Sequence, residues 1–265
     1  MELIRLKNLD AYKLKWIAII GMIMNHMVIA WWDIIPAWLR FPLYAAGGLT
    51  FPIMGYFVAE GYKHTSNFKR YILRILVFGI ISIPFHFLAI VVPMGGGNPT
   101  IYPWLNIMFG IALSLLVLAI YDKIKVRAIF WVIFVLLVPI SLLFFEWYFI
   151  SITVVLLFHI IRNESVRRVV PPIIAGILWL AMAFLSGVMP EIEGGYALVT
   201  NPGFAPVMFT FGIGCVAAAF LLKNYNGERG KRMKWLFYVI YPLHLAVLAL
   251  VALVLGLINL SVFGL

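Results

Sequence analysis

The sequence predicts an all-α fold, a polytopic integral-membrane helical bundle of about nine transmembrane helices with a cytoplasmic N-terminus and an outside C-terminus. Three observations predict it. Of 265 residues, 65% are hydrophobic and 11% charged, with a mean hydropathy of +1.06, against roughly half apolar and a quarter charged in soluble domains. The apolar residues form runs long enough to cross a hydrocarbon core of about 30 Å. The charges behind the net +10 lie in short clusters between those runs, so they read as topology signals and not as a nucleic-acid surface.

The runs lie at 12–32, 38–62, 70–92, 102–121, 128–145, 147–162, 171–189, 204–222 and 235–259, within one transmembrane domain over 1–265. The stretch 128–162 is too long for one helix and is divided at Phe145–Glu146. Pro93, Gly95–Gly97 and Pro99 mark one loop, and Pro190 through Pro202 another. The opening MELIRLKNLDAYKLK is followed by no small-residue cleavage site, so the first run is a retained helix. A single cysteine, Cys215, excludes an intramolecular disulfide.

The basic residues orient this arrangement. Arg5, Lys7, Lys13 and Lys15 precede or open the first span, and the others cluster after spans two, four, six and eight. Arg40 alone falls on the opposite side, with Asp33, Glu191 and Glu193. That asymmetry is the positive-inside pattern, and it requires the division of 128–162 into two spans.

Polar side chains inside the runs mark candidate function, because lipid makes them costly. Lys15 and His26 are eleven residues apart, three helical turns plus roughly 20°, so they share a face with His26 about 16 Å deeper. Asn25 sits beside His26. Tyr241 and His244 share a face of the last span at i,i+3 and reach a comparable depth; Pro242 lies between them. At the predicted cytoplasmic mouth, Glu60 and His64 end the second span, while Arg70 and Arg74 open the third. Two same-face arginines with a histidine and a carboxylate suit an anion such as a phosphate. The bland alternatives are interhelical hydrogen bonding for the histidines and ordinary membrane anchoring for the basic residues. Asn106, Glu146 and His86 are expected toward the outer half, Glu146 as interfacial polarity, and His159 is expected to face headgroups.

The segments LDAYKLKWIAIIGMIMNH, FPIMGYFVAEGYKHTSNFKRYILRI, NIMFGIALSLLVLAIYD, FEWYFISITVVLLFHIIRN and LFYVIYPLHLAVLAL, in that order, resemble the TraX family of integral-membrane acetyltransferases over about residues 9–250. Lys15-x10-His26 also resembles the basic-x10-His signature of the wider membrane acyltransferase superfamily. The chain departs from the family in carrying Asn25 where many relatives have Asp before the His, and Glu146 where Asp is common. The resemblance implies transfer of an acyl group from cytosolic acetyl-CoA, or another acyl-CoA, in a bacterial inner membrane. Its acceptor is an amine or hydroxyl of a pilin or other peptide N-terminus, a sugar, a lipid headgroup or a small amine. It implies His26 as general base, an oxyanion donor among Asn25, Tyr241 and His244, and the phosphates of CoA held by Lys15, Arg70 and Arg74 beside Glu60 and His64. No metal and no nucleic acid is implied.

Two other classes compete. A proton-coupled transporter or channel would line its path with the same histidines, yet the sequence shows no paired halves of an inverted repeat. A passive scaffold would leave the Lys15–His26 face without purpose. The run Gly212–Ala219 permits close helix packing, either within one chain or between two copies as a homodimer.

Overall fold

Helix formation follows the apolar runs closely, because in lipid a backbone can satisfy its N–H and C=O groups only within itself. The computed structural model describes residues 9–94, 105–188, 204–232 and 234–258. Arg5, Lys7, the Gly95–Gly97 and Pro99 turn, and the Pro190–Pro202 loop with Glu191 and Glu193 lie outside the described residues.

Helix α1 (Ala11–Ala30) starts where the Asp10 carboxylate accepts a hydrogen bond from the Lys13 backbone N–H at 2.8 Å, a side-chain N-cap. The second predicted span is two helices, α2 (Ala37–Gly48) and α3 (Thr50–His64), interrupted only at Leu49. Pro52 explains the break, since it lacks the N–H that would bond Gly48 and its ring crowds that carbonyl. Helix α4 (Phe68–His86) runs into a π-helical turn at Phe87–Val91 and a last α-turn, Val92–Met94, after Pro84 has removed one rung of its ladder. Then come α5 (Ile107–Lys123), α6 (Arg127–Phe144), α7 (Tyr148–Ile160), α8 (Glu164–Val188), α9 (Phe204–Lys223) and α10 (Lys234–Val254). The predicted division at Phe145–Glu146 is the observed one.

Every predicted span is thus helical, and seven helical segments among the described residues are long and apolar enough to cross a membrane. Helices α5 and α7 are shorter, at 17 and 13 residues. The protein is a multi-pass helical membrane protein.

Helix α9 packs mainly on α8 and α2, while α2 also packs on α1, α10 on α4 and α5 on α7. The α1–α2–α9 crossing is a glycine contact. A Cβ on Gly214 would collide with the Ala45 carbonyl, one on Gly48 with the Phe211 carbonyl, and one on Gly47 with the Asn25 side chain. The small-residue run therefore serves packing within the chain.

At one end of the bundle, Arg167 pairs with Glu60 at 2.6 Å and with Glu164 at 3.0 Å, and Arg168 pairs with Glu164 at 2.8 Å. Tyr56 donates to Glu164 at 2.6 Å. Asp122 joins this end, accepting from Tyr62 at 2.9 Å and meeting His159 Nε2 at 2.8 Å. His159 therefore faces a carboxylate and two tyrosine rings, not headgroups as expected.

Candidate functional site

The centre of the bundle holds four ionisable side chains from four separate elements. His26 Nδ1 lies 2.7 Å from His244 Nε2, with the rings stacked at 5.0 Å. His244 Nδ1 lies 2.9 Å from the Ile240 carbonyl. A carbonyl only accepts, so His244 Nδ1–H donates to it, and with both rings neutral His244 Nε2 accepts from His26 Nδ1–H. The free lone pair of His26 is then on Nε2. That nitrogen stands 3.7 Å from Glu146 Oε1, and His86 Nε2 stands 3.5 Å from Glu146 Oε2. All four side chains are buried.

Local backbone structure delivers Glu146 to this point. Its N–H bonds the Leu105 carbonyl at 2.9 Å, and its Oε2 accepts from the Ile107 N–H at 2.8 Å, so the carboxylate caps the N-terminus of α5, where the helix dipole favours a negative charge. Asn106 braces the same helix end, accepting from Met108 N–H at 3.1 Å and donating to the Gly79 carbonyl at 3.0 Å. Directly after Glu146, Trp147 and Tyr148 adopt left-handed φ values of 68° and 47°, strained for side chains of this size. That turn aims Glu146 inward, and Trp147 is pinned between the rings of Phe51, Trp179 and Phe211. The expectation of interfacial polarity for Glu146 is corrected here, since its carboxylate is buried beside His26 and His86.

A cavity of about 80 Å³ opens onto the cluster, lined by Asn25, His26, Thr50, Glu146, Trp147 and Tyr241 among others. The Tyr241 hydroxyl and Asn25 Nδ2 are buried there without a hydrogen-bond partner. A second cavity, about 200 Å³, has Lys15, Arg229, Lys231 and the rings of Tyr12, Tyr71 and Tyr238 in its walls. The two cavities share Met54, Met108, Ile111 and Phe237 as lining, so the buried cavity adjoins the basic mouth with apolar side chains between them.

With this geometry in place, the relatives can be compared. Residues 10–252 match the family described as TraX protein, nearly the whole chain. The chain belongs to the TraX family. It is also similar to a probable fimbrial assembly protein FimC, serogroup H1, of Dichelobacter nodosus, 38% identical over 82 residues. That match covers 30% of this chain and 33% of the relative, so it spans about a third of the relative's length. No solved structure matches.

In this TraX-family chain the structure brings together His26, Asn25, Tyr241 and His244, which the sequence placed at one depth. Lys15 is found in the basic mouth, its ammonium over the rings of Phe57 and Phe237 at 4.8 and 5.0 Å. Of the group expected at the α3–α4 hairpin, Glu60 and His64 meet at 3.6 Å but neither Arg70 nor Arg74 pairs with them. Glu60 is drawn to Arg167, with Lys63 and His64 at 3.8 and 3.6 Å, and Arg70 is exposed. Arg74 lies behind the mouth, its guanidinium 5.9 Å from the rings of Tyr71 and Tyr238. The physical reason is competition: Arg167, buried on α8, offers Glu60 a desolvated partner, where an exposed ion pair gains little. Arg229 and Lys231 enter the mouth from a loop some two hundred residues beyond Lys15, and no local spacing announces them.

Proposed function

We propose that this TraX-family protein is a membrane-embedded acyltransferase that moves an acetyl or other acyl group from cytosolic acyl-CoA to an amine or hydroxyl acceptor. One observation carries the reading: the free nitrogen of His26 faces Glu146 beside a cavity that adjoins a cation-lined mouth. In this reading the mouth lies at the cytoplasmic surface, N-terminus inside and C-terminus outside, in a bacterial inner membrane.

The chemistry follows from the hydrogen-bond directions. The acceptor nitrogen or oxygen attacks the thioester carbonyl carbon while His26 Nε2 takes its proton. The resulting imidazolium faces Glu146, whose charge stabilises it, and His244 keeps the ring in the productive tautomer. The unpartnered Tyr241 hydroxyl and Asn25 Nδ2 are placed to donate to the oxyanion. Collapse breaks the carbon–sulfur bond, and the proton passes from His26 to the departing CoA sulfur, leaving free thiol and acylated acceptor. The name of the Dichelobacter relative, a fimbrial assembly protein, favours a fimbrial subunit among candidate acceptors.

The test is thermal stability in mild detergent, followed by thiol release. Acetyl-CoA at a hundred times its Kd should stabilise the fold by about 2.7 kcal/mol, and an acceptor should then release free CoA. Absence of any shift at millimolar acetyl-CoA would overturn the reading.

A further inference from the structure

We infer that the loop between α9 and α10 is a phosphate clamp, in which Arg229 and Lys231 close over Lys15 to hold a nucleotide bearing more than one phosphate. The loop is tied down over the start of α1 and does not trail in solvent. Asn226 N–H bonds the Leu9 carbonyl at 3.0 Å, and Ala11 N–H bonds the Glu228 carbonyl at 2.9 Å. Gly230, at a φ of +64°, lies so close to the Asp10 carboxylate that a Cβ there would strike it. The consequence is three cations around one cavity: Lys15 from α1, and Arg229 and Lys231 from the loop.

Like charges gathered this way repel one another unless an anion joins them. Among the described residues, no carboxylate lines that cavity or forms an ion pair with any of the three. The two nearest in sequence make other bonds, Asp10 beside Gly230 capping α1 and Glu228 meeting the Asn226 side chain at 3.1 Å, and neither forms an ion pair with the three cations. The remaining wall is apolar and half of it aromatic, with Tyr12, Tyr71, Phe237 and Tyr238 offering ring faces and phenol groups, which suits a base or ribose beside the phosphates. Inorganic anions would satisfy the charge but not the rings. The clamp moves the phosphate contacts from Arg70 and Arg74, where the sequence put them, to residues on another loop.

The identity of the nucleotide as the adenosine part of CoA rests on the acyltransferase reading, while the clamp itself does not. The probe is therefore 3′,5′-ADP, which has the phosphates and base but no arm or thioester, with inorganic pyrophosphate alongside. Calorimetric titration of the detergent-purified full chain should show 3′,5′-ADP binding more tightly than pyrophosphate and weakening steeply with salt. Arg229→Gln with Lys231→Gln should weaken it at least about 100-fold, since each lost charge-assisted contact accounts for roughly 10-fold or more. Lys123→Gln with Lys125→Gln, the same loss of two exposed charges elsewhere on the chain, should leave it unchanged. Should the double variant misfold, Arg229→Lys keeps the charge and loses the planar fork, and should weaken 3′,5′-ADP more than pyrophosphate. Equal affinity in wild type and folded variant, or no binding of either anion by wild type, overturns the clamp. Binding by the clamp with no thiol release from any acyl-CoA would instead sink the transferase and leave the clamp standing.

Discussion

Glu146→Gln isolates the electrostatic part of the proposed mechanism with little change of shape. The amide oxygen can keep the 2.8 Å bond from Ile107 N–H, so the cap of α5 survives while the charge goes. At 3.7 Å between Glu146 Oε1 and His26 Nε2, and an effective dielectric near 20, a full carboxylate–imidazolium attraction is about 4 kcal/mol. The proton on His26 is only partly transferred in the transition state, and an amide dipole restores a fraction. A loss of about 3 kcal/mol remains, or roughly 100-fold in kcat. Glu146 lines the buried cavity and not the basic mouth, so the KM for acyl-CoA should stay within about twofold. The assay is thiol release at saturating donor, with the melting temperature as a check on folding. A folded Glu146→Gln protein within about threefold of wild-type kcat would refute the role assigned to Glu146.

Removing the base itself should be more severe: His26→Ala is expected to reduce thiol release by more than about 100-fold in a protein that still inserts and folds, and substantial turnover in such a protein would reject His26. Gly214→Leu should lower the melting temperature by at least about 2 °C, because overpacking at a backbone contact costs roughly 1–3 kcal/mol; an unchanged value would mean that α2 and α9 do not meet at Ala45 as they do here. For topology, an impermeant label on intact cells should reach a tag at the C-terminus and not one at the N-terminus, and equal labelling of both would require an even number of spans.

Much of this was legible in the chain because lipid leaves few choices. Apolar runs located the helices except that α2 and α3 read as one span, and the break at Phe145–Glu146 followed from the length of its run with the asymmetry of basic residues in support. Lys15 and His26 were predictable as a pair because helical periodicity is local, as were Tyr241 and His244. What escaped were partners chosen in three dimensions. Glu146 looks like a polar residue at a span boundary until the left-handed turn at Trp147 aims it inward, and no pattern in the sequence encodes that turn. His86 becomes part of the cluster only because α4 packs on α10 and α5. Glu60 was assigned to the nearest arginines in sequence, yet it pairs with one more than a hundred residues away.

The buried cluster also bears on why the chain keeps such groups in hydrocarbon at all. Replacing buried ionic groups by apolar ones of similar volume is often neutral or stabilising, so a bundle held together only by packing has little reason to retain His26, His86, Glu146 and His244 together. The cluster is also incompletely satisfied, for the Tyr241 hydroxyl, Asn25 Nδ2 and His86 Nδ1 make no well-formed hydrogen bond. A proton path through the membrane needs a relay that continues past the cluster. Here the hydrogen bonds run only from His26 to His244 and on to the Ile240 carbonyl, on the same helix as His244, while Glu146 stands 3.7 Å from His26 Nε2. A relay that ends on its own backbone orients a base better than it conducts a proton. Unsatisfied donors beside a cavity are groups that a bound carbonyl would satisfy, which favours a reacting site over a conduit.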